Sequence, residues 1–158
     1  ANGFFTQERV GRNGRIFRVV KLRTMRPDSK LDTTVTTGHD PRITRLGRLL
    51  RRTKIDELPQ LLNVLAGDMS LVGPRPDVPG YADALAGEDR IILTVRPGIT
   101  GPATLAYRHE EQLLAQAADP ERYNREVIFP DKVRLNRAYV EDWSLGKDLI
   151  YIWRTVIG

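Results

Sequence analysis

A chain of 158 residues, 41% hydrophobic and 28% charged, is long enough to bury one core and too apolar to remain disordered. It has no cysteine and only His39 and His109, which excludes disulfides and thiolate metal sites and argues against a histidine cage. Nucleophilic chemistry then falls to carboxylate, hydroxyl or lysine.

The net charge of +5 is unevenly spread, because residues 1–54 hold 14 Lys and Arg against 4 Asp and Glu. A basic segment of this kind suits a phosphate-bearing substrate, an anionic membrane surface or nucleic acid, and equally a solvated basic face. No apolar run of about 18 residues is present, so no spanning helix is expected. The sequence opens at Ala1 with no leader pattern and reads as a piece whose upstream segment is missing.

In chain order, Phe4–Val10 and Arg15–Arg23 read as a β-hairpin around Asn13-Gly14, since both residues tolerate the positive φ of a type I′ turn. Phe17, Val19, Lys21 and Arg23 then share one face, leaving two cations at the end of an apolar row. They can face a ligand, or discourage edge pairing. Residues 26–42, rich in Pro, Asp, Ser, Thr and Gly, read as a flexible surface loop. Residues 43–52 turn helical, with Arg51 and Arg52 at a helix end that favours cations.

Lys54 to Leu65 opens with adjacent carboxylates. Asp56 reads as an N-cap with Pro59 at the third helical position, where a missing N–H does no harm. Leu58, Leu61, Leu62 and Leu65 then form one stripe expected to pack on a core. The carboxylates would stand at the helix's positive end, which favours an anion, their own or a phosphate. Many helices simply begin with acidic residues.

In the following loop, Pro74 and Pro76 stiffen the backbone around Arg75, a side chain suited to bidentate phosphate binding. Residues 81–88 read as a short helix and Arg96–Pro102 as a second stiff loop. Residues 110–118 form a polar helix ended by Asp119-Pro120, briefly continued over 121–127, broken at Phe129-Pro130, and followed by a helix over 131–142 that packs through Val133, Leu135, Tyr139 and Val140. Ser144 to Ile157 is apolar on nearly all sides. A core helix is the first reading, and a helix at a membrane interface, with Tyr151, Trp153 and Arg154 at the boundary, is the second.

Taken together, Arg9-Val10-Gly11 with Gly14, Lys21-Leu22-Arg23-Thr24-Met25, Asp56–Leu65, Gly67–Pro76 and Arg96–Gly101 resemble the bacterial sugar transferase family, the monotopic phosphoglycosyl transferases that begin capsule, exopolysaccharide, O-antigen and glycoprotein glycan synthesis. The resemblance spans nearly the whole chain. It implies a single catalytic domain over residues 1–158, of α+β class: mostly helical with an N-terminal β-hairpin, membrane-associated, and lacking the family's N-terminal re-entrant helix. It also implies transfer of a sugar 1-phosphate from a nucleoside diphosphate sugar, a UDP-sugar by preference, to polyprenyl (undecaprenyl) phosphate at the cytoplasmic face of the bacterial inner membrane, with Mg²⁺.

Carried over by position, Asp56 resembles the family's nucleophile and Glu57 its partner, both also assigned to the metal. Lys21, Arg23, Arg51, Arg75, Arg96 and Arg108 are the phosphate-binding candidates. The partners implied are the nucleotide sugar, polyprenyl phosphate and a membrane surface, not nucleic acid; a homodimer is among the assemblies allowed. Some relatives carry Asp where Asn136 stands, so no role is carried to that position. The segment Gly101–Arg108 resembles one branch of the family and bears on donor choice. The alternatives are a phosphate-binding or nucleic-acid-binding module without catalysis, and an inactive domain acting as a membrane scaffold. Aromatic interleaving typical of single-strand binders is missing.

Overall fold

A computed structural model describes residues 3–27, 36 and 40–158, so most of the expected loop at 26–42 lies outside the described residues. Strands β1 (Phe4–Val10) and β2 (Ile16–Leu22) pair antiparallel, as the alternating pattern predicts. The connection is not a two-residue turn. Arg12–Gly14 form a 3₁₀ turn closed by Gly11 N–H donating to Arg15 O, with Asn13 at φ 57° and Gly14 at φ 76°. The positive φ values are as expected, but the longer connection shifts the register. A two-residue turn would set Val10 against Phe17, whereas Val10 pairs with Ile16 and Arg9 with Phe17. One residue of slip exchanges the faces of a strand, so Arg9 lies on the same face as Phe17, Val19 and Lys21.

Helix α1 (Arg45–Thr53) begins where the Thr44 hydroxyl accepts from Gly47 N–H at 2.8 Å. It ends at Lys54, in the left-handed region at φ 58°. That tight exit feeds a 3₁₀ stretch, Ile55–Gln60, which then becomes helix α2 (Leu61–Ala66). Asp56 therefore does not cap an α-helix; it sits inside the 3₁₀ turn, and Lys54 occupies the cap position without a side-chain bond.

The leucine stripe is also inverted relative to expectation. Gln60 and Asn63 are only 3% and 5% exposed, while Leu62 is 58% and Leu65 84% exposed. Asn63 supplies the reason. Its Oδ1 accepts from Val20 N–H at 3.1 Å and its Nδ2 donates to Arg18 O at 2.8 Å, so the amide pairs with the free backbone of β2 and holds the polar side of α2 inward.

A second sheet was not foreseen. Strands β3 (Ser70–Val72) and β4 (Gly98–Thr100) form a short parallel ladder. Its glycines are required by close backbone approach: a Cβ on Gly98 would lie 2.1 Å from Gly73 N, one on Gly73 2.6 Å from Arg96 O, and one on Gly101 2.4 Å from Gly73 O. The stiff loops on either side of Arg75 and after Arg96 are thus joined backbone to backbone.

Between β3 and β4, the expected helix at 81–88 resolves into two 3₁₀ turns, Ala82–Ala84 and Gly87–Leu93. Helices α3 (Pro102–Ala106), α4 (Glu110–Gln116) and α5 (Pro120–Tyr123) follow. Phe129-Pro130 does not interrupt the helix. A π-turn over Asn124–Ile128 joins α5 to α6 (Phe129–Glu141), and Pro130 is accommodated at the start of α6. Val10, Ala82, Ile92, Leu93 and Val133 form the main core, with Phe129 edge-on to Tyr81 at 5.1 Å.

Helix α7 (Leu145–Ile157) is not a core helix. None of its residues is buried, and Leu149, Trp153 and Val156 are exposed. Hydrogen bonds pin its other side, Thr155 to Thr100 at 2.6 Å and Asp148 to Tyr139 at 2.7 Å. Among the described residues no helix is long and apolar enough to cross a membrane.

The two faces of α2 carry opposite stability expectations. Asn63→Ala orphans two backbone groups and costs about 2–3 kcal/mol in chemical denaturation, whereas Leu65→Ser stays within about 0.5 kcal/mol of the parent. Equal losses at both positions would mean that the leucine face is packed in solution.

Candidate active site

The 3₁₀ entry to α2 turns the two carboxylates inward: Asp56 is 6% and Glu57 9% exposed. Two cations from different elements meet Glu57. Arg75, held between its prolines, forms a two-pronged pair, with Nη1 donating to Oε2 at 3.1 Å and Nη2 to Oε1. Lys21, from the inward face of β2, donates to Oε1 at 3.3 Å. Bidentate geometry of this kind orients as well as neutralises.

Burial by itself raises the Glu57 carboxyl, but Arg75 and Lys21 outweigh it and hold the group well below the ordinary carboxylate range. In return Glu57 raises the Arg75 guanidinium. Burial pushes the Lys21 ammonium down to about 8, although Glu57 pulls the other way.

Asp56 is in the opposite situation. Its Oδ1 is buried and has no hydrogen-bond partner among the described residues. Burial, then the Glu57 charge, push its carboxyl above the ordinary range against Lys21, Arg51 and Lys54. Two adjacent acids thus differ in kind: Glu57 is saturated by cations, and Asp56 carries an oxygen free to react or to bind a cation. Among the described residues no group of three or more His, Asp or Glu could hold a metal ion by itself. Magnesium, however, commonly takes one or two carboxylates and completes its shell with water and substrate phosphates. Asp56 fits that pattern, while Glu57 fits it only by giving up Arg75 or Lys21.

The other phosphate-binding candidates are divided. Arg51 belongs with the dyad: it acts on Asp56 electrostatically, its Nη2 pairs with Glu111 of α4, its Nη1 reaches Thr24 Oγ1 at 3.5 Å, and its buried Nε has no partner among the described residues. The remaining three are engaged elsewhere. Arg23 donates to Phe4 O at 3.2 Å and lies over the Phe5 ring. Arg96 lines a cleft at the far end of the hairpin. Arg108 donates to Arg154 O at 2.9 Å, near the end of α7.

Sequence reasoning missed a second layer of charge behind Arg75. Burial drives the Asp77 carboxyl up to about 6 in spite of Lys132, Arg9 and Arg75, and burial drives the Arg9 guanidinium down to about 10. Lys132 pairs with Glu110 at 2.6 Å. Arg9 was hidden because its inward orientation follows from the register. Asp77 carried a faint signal, as the residue directly after Pro76 in the stiff loop.

Comparison with known proteins identifies the family. The family model described as bacterial sugar transferase matches residues 1–158. The chain is 40% identical over 164 residues to the galactosyl transferase CpsE of Streptococcus agalactiae, covering 96% of this chain and 33% of that protein. It is 40% identical over 158 residues to the UDP-glucose:undecaprenyl-phosphate glucose-1-phosphate transferase of Caulobacter vibrioides, covering 96% and 54%. To the UDP-N-acetylgalactosamine-undecaprenyl-phosphate N-acetylgalactosaminephosphotransferase of Aeromonas hydrophila it is 36% identical over 156 residues, covering 96% and 34%. The chain thus spans between a third and about half the length of these relatives. With the match running from the first residue to the last, this chain belongs to the bacterial sugar transferase family.

Proposed function

We propose that this chain transfers a sugar 1-phosphate from a UDP-sugar to polyprenyl phosphate by way of a covalent intermediate on Asp56. The observation that carries the reading is the asymmetry of the dyad: a buried, unpartnered Asp56 oxygen beside a Glu57 whose oxygens are both held by Arg75 and Lys21. The names of the relatives, which specify UDP-sugars and undecaprenyl phosphate, support the substrates.

In the first step an Asp56 oxygen attacks the sugar-bearing phosphorus; a new P–O bond forms, the bond to the bridging oxygen breaks, and UMP leaves with that electron pair. In the second, an oxygen of the polyprenyl phosphate attacks the same phosphorus and the acyl phosphate bond breaks, regenerating the Asp56 carboxylate. Lys21, Arg51 and Arg75 face the charge on the transferring group and help orient it. Mg²⁺ would be held by the Asp56 carboxylate and would supply further charge neutralisation. Glu57 holds Lys21 and Arg75 in place until phosphate competes for them.

The membrane surface enters through the inverted helix. Exposed Leu61, Leu62 and Leu65 on α2 and Leu149, Trp153 and Val156 on α7 are apolar groups suited to the interface of the cytoplasmic leaflet.

Mass spectrometry after exposure to a panel of UDP-sugars is expected to find a phospho-sugar adduct on Asp56. Asp56→Asn abolishes both the adduct and UMP release while keeping the fold, and chelation of Mg²⁺ stops UMP release. Full turnover in Asp56→Asn removes the covalent mechanism.

The rate is expected to be bell-shaped in pH. On the acid side it falls as Asp56 takes a proton, above the ordinary carboxylate range; on the alkaline side it falls as Lys21 loses its proton near pH 8. The alkaline limb disappears in Lys21→Arg if Lys21 is its source, and a limb that stays assigns it elsewhere. Leu62→Ser with Leu65→Ser weakens retention on phosphatidylcholine vesicles about tenfold or more; undiminished retention would exclude this face from the contact.

A further inference from the structure

Arg12 and Arg15 of the hairpin connection and Arg96 of the loop before β4 line one cleft of about 320 Å³ at the turn end of the hairpin. Gly11 and Gly67 contribute backbone, and Asp68 is the cleft's acidic residue. None of the three arginines forms an ion pair among the described residues. Arg12 is oriented through Nε, which donates to Thr94 O at 3.0 Å. None of Asp56, Glu57, Lys21 and Arg75 lines this cleft, so it is separate from the dyad.

Its surroundings indicate what it would bind. Ile16, on its wall, is exposed, and Gly67 follows two residues after Leu65, the most exposed of the α2 leucines. Gly67 ends α2 in the left-handed region at φ 86°, and a Cβ there would come within 3.9 Å of an Arg96 nitrogen. The positive cleft therefore begins at the C-terminal end of α2, two residues past the exposed Leu65. Guanidinium groups suit phosphate oxygens, and their attraction to an anionic lipid surface acts within about a Debye length.

We propose that Arg12, Arg15 and Arg96 form a binding site for the phosphate headgroup of an anionic phospholipid, which sets the orientation of the leucine face on the membrane. The site rests on the membrane reading of that face. It is distinct from the substrate-binding cations at the dyad. Asp68 opposes binding and limits its strength, since it places a like charge beside the phosphate.

The test is vesicle co-flotation of the chain with phosphatidylcholine alone or with an equal part of phosphatidylglycerol. The parent chain is expected to prefer the mixed vesicles. Arg12→Gln with Arg15→Gln lowers affinity for them about fivefold per arginine removed and leaves binding to phosphatidylcholine unchanged. Asp68→Asn raises the preference. An exposed control pair, Arg122→Gln on α5 with Arg125→Gln on the π-turn that follows it, removes the same net charge and has a smaller effect.

If the control pair weakens mixed-vesicle binding as much as the cleft pair does, net charge alone explains the preference and the site is overturned. Equal binding of the parent to both vesicles keeps the leucine-face contact and removes the headgroup site, while binding to neither removes both. UDP affinity measured by calorimetry is expected to be the same in parent and cleft variant. A parallel fall would make the cleft part of the donor site and overturn the headgroup assignment.

Discussion

The site depends on one buried ion cluster, Glu57 between Arg75 and Lys21. Withdrawing a carboxylate from water is costly, and it is tolerated only where cations of good geometry replace the solvent. Three separate pieces of chain meet that requirement. The 3₁₀ entry to α2 aims Glu57, β2 presents Lys21, and the proline-flanked loop delivers Arg75. The glycine contacts between β3 and β4 anchor that loop, so Gly73, Gly98 and Gly101 act on the site although none of them touches it.

The same cluster accounts for the unusual orientation of α2. A helix start that turns Asp56 and Glu57 inward continues with Gln60 and Asn63 on the inner side, four and seven residues after Asp56. Asn63 completes the arrangement by pairing with β2 backbone. The leucines are then left on the outside, and the main core forms elsewhere, between Val10, the 3₁₀ turns and α6. α7 repeats the pattern, with polar groups pinned to the body and apolar ones turned outward. Monomeric soluble proteins rarely leave so many large apolar side chains exposed without a binding role.

Within the dyad, adjacent residues of the same chemistry are driven apart by their neighbours. Glu57 is held ionised by its cations, and Asp56, more weakly opposed by cations, is raised. Divergence between paired acids is a common basis for dividing tasks in an active site. The charges behind Arg75, from Arg9, Asp77, Lys132 and Glu110, extend the network from the hairpin to α6.

Much of this was legible in the residues themselves. Asn13-Gly14 announced the hairpin because few residues accept positive φ, Pro74 and Pro76 announced a stiff mount for Arg75, and the Asp56-Glu57 pair after a basic segment pointed to the place where carboxylates and cations meet. These are local properties, decided by a residue and its neighbours. What the tertiary structure decided was direction. Periodicity tells that α2 has two unlike faces but not which one is inward, and that choice was made by Glu57 and Asn63 finding partners on β2 and the Arg75 loop. Likewise, the orientation of Arg9 followed from a turn one register step away from the simplest one, and the β3–β4 ladder from glycines that matter only when two distant backbones touch.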